Sequence, residues 1–316
     1  MIYDGLLNAA QKFQYGISIQ GSVDVDDIHS AFQKFYDEYP EYFWVRNYHY
    51  SINGRQLKIQ IEQFQECNSV QLEKMFTEMT AEAEKIITQI PADASDYDKA
   101  LFVHDYLVDH TVFEYQQPDG TEQEYKICHT AYGCISKGSA VCEGYSRAFQ
   151  YLMKLLSVPC GTCSGMAAGD NHAWNYVCLD NDYYWLDLTW DDPSSLERPN
   201  VNSKSHAYFL LNDEMMSRSH TLGDENAFVP KCTATKLNYF IHNGLCLDEY
   251  SLSEFDRYFT EDHLEYMFTN EDAYQTAIRK LFVEGEIWQT SLLKQRDAQI
   301  TYSKKDDLFV ITINLD

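Results

Sequence analysis

The sequence predicts an α+β chain, and three observations carry that reading. Short alternating runs that read as strands occur at the start, middle and end of the 316 residues. Helical apolar periodicities separate them. Asn53-Gly54, the strongest short-range hairpin signal, sits between two of the early runs. At about 150 residues per domain the length implies two or three units. They are placed at 1–92 (a strand-helix-strand-strand unit plus a long helix), 93–235 (a central core) and 236–316 (a C-terminal α/β appendage).

From the start, Phe13 to Ile19 alternates as a strand. Asp26 to Tyr39 carries Ile28, Ala31, Phe32 and Phe35 at helical spacing and stops at Pro40. Phe43–Tyr50 and Leu57–Phe64 are the hairpin strands around Asn53-Gly54. Asn68 or Ser69 can cap a long helix whose stripe is Leu72, Met75, Met79, Ala83, Ile86 and Ile90, ended by Pro91. A second helix over Asp96–Asp109 turns Tyr97, Leu101, His104 and Val108 to one side, which makes His104 a core histidine rather than a ligand. Residues 114–126, with Pro118-Asp119-Gly120, read as a polar loop. In the tail, Leu264–Phe268 reads as a strand, Glu271–Trp288 as a helix, and Ala298–Tyr302 with Leu308–Leu315 as a hairpin. This repeats the opening order, so the two flanking pieces are candidates to pack together, although no shared residues mark a true repeat.

Composition narrows the function classes. An apolar fraction of 45% with 15% aromatics is globular, so a sizeable core can form. A net charge of -25 opposes encounter with polyanions, so neither nucleic acid nor an anionic membrane surface is expected as partner. No apolar run approaches the roughly 18 residues of a membrane span. Met1–Gln20 lacks the basic-then-apolar profile of a signal peptide. On these residues the expectation is cytoplasmic, with a secreted protein trimmed of its signal as the alternative. The nine cysteines are an odd number, so at least one is a thiol or pairs with another chain.

The chemistry is concentrated in the middle. From Cys142 onward Tyr145, Phe149, Leu152 and Leu156 recur at helical spacing, which puts Cys142 at or just before the first turn of a buried helix. The unpaired N–H groups and positive dipole end found there stabilise a thiolate, and can also meet the oxyanion of a tetrahedral intermediate. A nucleophile of this kind needs a base, and the base needs an orienting acceptor. Asn171-His172-Ala173-Trp174-Asn175 opens an alternating strand, Asp180-Asn181 makes a turn, and Tyr183–Trp190 returns as a second strand carrying Asp187. With a two-residue turn, His172 lies opposite Thr189 and Asp187 is its diagonal neighbour on the same face. A carboxylate there can hold the imidazole tautomer that faces the sulfur. Singly these residues are ordinary core; an Asp inside an apolar strand, however, demands a partner.

At Ala140-Val141-Cys142-Glu143-Gly144-Tyr145-Ser146, His172-Ala173-Trp174-Asn175 and Asp187-Leu188-Thr189-Trp190-Asp191-Asp192-Pro193 the sequence resembles the transglutaminase-like superfamily in its bacterial core-domain form. The resemblance runs from about His104 to Pro193, includes His129-Thr130-Ala131-Tyr132-Gly133, and thins through Ser205–His220 toward 235. It implies a papain-like core in which a helix bearing Cys142 packs on an antiparallel sheet bearing His172 and Asp187. It also implies attack on a peptide or carboxamide carbonyl, a thioester intermediate, and acyl transfer to water or an amine. The expected partner is a protein or peptide substrate, with hydrolysis favoured over crosslinking because no amine site is readable. A binding or cell-wall-docking module that keeps the fold without turnover is the alternative, against which the intact Cys-His-Asp set counts.

No cofactor and no metal is implied. Cys160-Gly161-Thr162-Cys163 is a single CxxC on an expected strand, which fits neither a zinc site needing a second pair nor a helix-opening redox motif. Trp174, Trp190 and Tyr145 flank the three and can either shape an acyl tunnel or pack behind the hairpin.

Overall fold

The structure, a computed structural model, describes residues 1–21, 23–114, 126–196, 204–224, 226, 229–296 and 298–315. The chain divides into two compact units: Met1–Cys163 with His172–Leu179, and Ser164–Asn171 with Asp180–Asp316. Helices and antiparallel sheets mix in both, as an α+β chain should.

In the first unit, α1 (Ile2–Gln11) buries Ile2, Leu6, Ala9 and Ala10. Strands β1 (Gly16–Gln20), β2 (Tyr48–Asn53) and β3 (Gln56–Ile61) form an antiparallel sheet in the order β1-β3-β2. Between β1 and β2 runs α2 (Val25–Glu38), whose Phe32 ring stacks on Tyr48 at 3.5 Å. Asn68 and Gln71 close a capping box at the start of α3 (Ser69–Ile87), and Ser95 and Asp98 another at α4 (Asp96–His110). His104 of α4 is fully buried with Nδ1 3.0 Å from Asp105 Oδ1, the core histidine its spacing predicts. β4 (Val112–Phe113) pairs in parallel with β5 (Ser139–Ala140), which leads directly into α5 (Cys142–Leu155). β6 (Cys160–Ala167) and β7 (Asp170–Leu179) follow, with Ser164–Asn171 between and within them belonging to the second unit.

In the second unit, β8 (Asp182–Leu186) passes into a single turn, α6 (Leu188–Asp191), and pairs with β9 (Phe209–Leu211). After α7 (Asp213–Met216), β10 (His220–Leu222) lies antiparallel to the end of β6, with His220 opposite Ala167. α8 (Tyr239–His242) and β11 (Cys246–Leu247) lead to α9 (Leu252–Tyr258), β12 (His263–Phe268), α10 (Glu271–Ile278), β13 (Ile300–Lys305) and β14 (Val310–Leu315). Those last strands form a sheet in the order β11-β12-β14-β13, whose core includes Phe255, Tyr266, Tyr274, Leu281 and Ile313.

Several local expectations are corrected. Phe43, Trp44 and Val45 are buried but not in a strand; the chain turns there, with Val45 N–H donating to Tyr42 O, and β2 starts at Tyr48. The β2–β3 turn residues are Gly54 and Arg55, since Asn53 pairs with Gln56, and Gly54 takes φ 59. Glycine at the first central position is what a type II′ turn requires. The helix expected over 271–288 stops being α-helical at Ile278, passes through a π turn at Arg279–Val283, and breaks at Gly285, which is left-handed at φ 76. The strand expected over Tyr183–Trp190 ends at Leu186. The polar loop at 114–126 lies almost wholly outside the described residues. Among the described residues no helix is long and apolar enough to cross a membrane.

Candidate active site

Cys142 is the first residue of α5, and the chain is brought to that start by a tight backbone crossing. Val141, the residue before the helix, donates its N–H to Cys128 O at 3.0 Å. The same carbonyl lies so close to the first turn that a Cβ on Gly144 would stand 2.2 Å from it. Glycine is therefore obligatory two residues after Cys142, and the Cys-Glu-Gly order is a packing necessity. Gly133 is required in the same way, because a Cβ there would meet Ile127 O at 2.3 Å. Upstream, Gly138 reverses the chain at φ 62 before β5. Cys142 itself is only half-buried, whereas the helix behind it, Gly144 to Met153, is buried throughout. The first N–H groups of any α-helix have no partner within the helix. The half-exposed sulfur thus sits where a thiolate and an oxyanion are both stabilised.

His172 lies near the start of β7 in the same unit and is also half-buried. Asn175, three residues on, locks that strand to the helix that begins at Cys142. Its buried amide donates to Ser146 O at 3.0 Å and to Gly161 O at 3.1 Å. Ser146, one turn after Cys142, hydrogen-bonds Cys142 O at 2.9 Å. The strand bearing the histidine and the helix bearing the cysteine are therefore joined through their early residues. In the sequence Asn175 is one residue of the His-Ala-Trp-Asn run; in the fold it is this cross-link.

Asp187, in the second unit, is not a strand residue. It is the N-cap of α6: Oδ1 accepts from Thr189 N–H at 3.0 Å and from Trp190 N–H at 3.3 Å. Thr189 and Trp190 favour strands by type, but an Asp that can accept their N–H groups starts a helical turn instead. Oδ2 faces His220 Nε2 at 3.0 Å, and both side chains are almost completely buried. Trp190 packs against His220, ring centroids 4.6 Å apart, and edge-on against Tyr208. The next two acids are structural: Asp191 accepts from Tyr208 N–H at 3.0 Å and Asp192 from Ser194 N–H at 2.7 Å.

Residues 84–189, a stretch that carries Cys142, His172 and Asp187, match the family model of the transglutaminase-like superfamily. This stretch is a transglutaminase-like core. Among solved structures the chain is similar to a TGase (13% identity, 60% of this chain and 53% of that one, TM-score 0.33). It is also similar to a candidate cysteine protease from Cytophaga hutchinsonii (13%, 45% and 61%, TM-score 0.28). A third is a candidate protease from Parabacteroides distasonis (8%, 45% and 36%, TM-score 0.25). The chain thus spans 53% to 61% of the length of the first two. Likeness this remote says nothing of the chemistry here. No curated protein matches the chain.

Other candidate groups around the transglutaminase-like core resolve as structure. The Tyr132 hydroxyl donates to Glu78 of α3 at 2.9 Å, and Lys137 holds the other oxygen of Glu78 at 2.7 Å. Tyr145 is buried and donates to Thr111 O at 3.2 Å, and Trp174 is also buried. All nine cysteines are thiols. Cys160 and Cys163 occupy alternate faces of β6, where i and i+3 point apart. Burial pushes the Cys160 thiol well up, and Cys163 Sγ lies 3.6 Å from Trp174 O. Two sulfurs on opposite faces cannot clasp one metal. His220 is the residue the sequence reading left without a role. Its buried contact with Asp187 spans a long stretch of chain and has no local signal.

Proposed function

We propose that the transglutaminase-like core is a cysteine acyl-transfer site with Cys142 as nucleophile, His172 as base and Asp187 as the acceptor that orients the base. The observation that supports it best is the placement of Cys142: a half-exposed sulfur on the first residue of a buried helix, fixed by Cys128 O against Gly144. In this reading His172 takes the thiol proton as Sγ attacks a peptide or carboxamide carbonyl. The C–N bond breaks, the amine leaves with that proton, and the acyl group stays on sulfur as a thioester. Water then releases the acid, or an amine takes the acyl group. Hydrolysis is the favoured outcome, since water needs no dedicated site.

The test is incubation with glutamine-containing peptides, with and without a fluorescent amine, followed by intact-mass and product analysis. Expected is an acyl adduct confined to Cys142, lost in Cys142→Ala and depleted in His172→Ala, with acid as the main product. Amine incorporation above hydrolysis would reassign the site to crosslinking. Absence of any adduct across a peptide library would leave the core as a binding module.

A further inference from the structure

The residue after the nucleophile is an acid, and an acid there ought to hinder it. A carboxylate next to a thiolate repels it and favours the thiol. Glu143 is nonetheless ionised. Burial would raise its carboxyl, but His129, Arg46 and Arg147 outweigh that and hold it well below the usual carboxylate range. The geometry shows how. Arg46 Nη2 lies 3.0 Å and 2.8 Å from the two Glu143 oxygens, while Arg46 Nη1 donates to His129 O at 2.9 Å. His129 Nδ1 lies 2.9 Å from Glu143 Oε2, and the Tyr36 hydroxyl also donates to Glu143.

Four groups therefore face or surround the carboxylate, and they differ in kind. Arg147 is turned away onto Tyr36, its guanidinium 3.5 Å from the ring centroid and Nη1 2.7 Å from Tyr36 O. The Tyr36 hydroxyl carries no positive charge, and burial pushes its pKa further up, whereas an arginine keeps its charge. Arg46 is thus the permanent counter-charge that touches Glu143, and it comes from the N-terminal segment between α2 and β2. The end of α2 just before that segment grips the helix further along as well. Gln150 donates to Asp37 O at 2.6 Å and Lys154 to Glu38 O at 2.8 Å, so side chains of α5 satisfy the last carbonyls of α2.

We propose that Arg46 is a positioning residue for the acyl-transfer site: by neutralising Glu143 it keeps the negative charge on the residue next in sequence to Cys142 from opposing the thiolate, which makes the reactivity of the nucleophile depend on the N-terminal segment. This rests on the reading of Cys142 as nucleophile. Arg46 touches neither substrate nor sulfur and acts through Glu143.

The experiment is the pH profile of Cys142 alkylation by iodoacetamide in the full chain, for wild type, Arg46→Met, Glu143→Gln and the double variant. Arg46→Met is expected to slow Cys142 about tenfold at neutral pH and move the rise in rate to higher pH, as for one uncovered charge nearby. The double variant returns the profile to within about threefold of wild type, because the opposing charge is gone. Glu143→Gln alone leaves the rise where it was or moves it to lower pH. Should Arg46→Met not fold, Glu143→Gln still decides: a rise moved to higher pH overturns the proposal. An unshifted Arg46→Met profile, or a double variant no faster than Arg46→Met, overturns it too. These failures leave a selectively reactive Cys142 in the wild type, whereas failure of the acyl-transfer reading abolishes that selectivity in the wild type itself.

Discussion

Nε2 of His220 lies 3.0 Å from Oδ2 of Asp187, and Nδ1 of the same ring lies 2.8 Å from Ser219 Oγ. With a neutral ring, one assignment serves all three groups: Ser219 donates to Nδ1, and Nε2–H donates to the carboxylate. Asp187 then has donors on both oxygens, two backbone N–H groups on Oδ1 and an imidazole on Oδ2. A buried carboxylate held this way is fixed in orientation, which is what an acceptor for a catalytic histidine needs.

His220→Ala is expected to cost about 2 kcal/mol of stability, since it strips a charge-assisted bond from a buried carboxylate. His220→Gln, whose amide can reach the same oxygen, should lose less. Urea unfolding of the two variants checks this, and equal stability of both with wild type would show that the pair contributes nothing.

Gly144→Ala places a Cβ 2.2 Å from Cys128 O, a backbone atom that cannot swing aside. Overpacking of that severity costs about 1–3 kcal/mol or more. Because the clash is at the first turn of α5, alkylation of Cys142 should slow along with a lowered Tm. A stable Gly144→Ala protein with undiminished Cys142 reactivity would mean that the crossing does not set the helix start.

Glu265 gives the second unit a definite acid sensitivity. It is buried, bonded by Ser205 Oγ at 2.9 Å, and ion-paired to His206 Nδ1 at 2.6 Å. Burial would raise its carboxyl, yet His206, with His263, holds it well below the ordinary range. A carboxyl depressed on folding stabilises fully above its unfolded value, near 4.3, and that contribution fades as pH falls through the folded value. Glu265→Gln breaks a buried pair at a cost of about 3–5 kcal/mol at neutral pH. Its deficit should narrow as the pH is taken down below about 4, where the wild type loses the same contribution. Tm measured against pH for both proteins reads this directly; a deficit that is constant down to the lowest pH argues against the pairing.

The other thiols supply an internal control. Burial, aided by Asp213, pushes Cys232 up to about 12, and burial with Asp248 pushes Cys246 up to about 11. At about pH 8 both remain thiols and should stay unlabelled in the native protein, since only thiolates are nucleophilic. Peptide mapping after brief alkylation checks it, and prompt labelling of Cys232 would contradict its burial.

What was legible in the sequence was local. The N-cap at Asn68, the buried Leu72, Met79, Ala83 and Ile86 of α3, the core place of His104, and a helix opening at Cys142 all follow from spacing and residue type. So does the Asp180-Asn181 turn, where both residues take positive φ, 54° and 67°, as a type I′ turn requires. The failures have physical causes. α1 escapes the sequence reading because two of its four buried positions are alanines, which mark a core face less plainly than larger apolar residues. Phe43–Val45 read as strand because buried apolar residues look alike in a turn and a strand. Asp187 read as strand because Leu188, Thr189 and Trp190 continue the apolar run, while the N-cap that overrides them is a side-chain effect. The contacts around the candidate residues in each unit, Cys128 O on Gly144 and Arg46 on Glu143 in the first and His220 on Asp187 in the second, join residues far apart in sequence, where periodicity is silent.

The most direct test is the rate of iodoacetamide alkylation of each cysteine at neutral pH, followed by peptide mass mapping in wild type and His172→Ala. Cys142 should react at least about tenfold faster than the other eight thiols, as an activated thiolate does. His172→Ala should remove most of that lead while leaving the rest unchanged. A Cys142 that reacts no faster than its neighbours, or is indifferent to loss of His172, would contradict its role as the nucleophile.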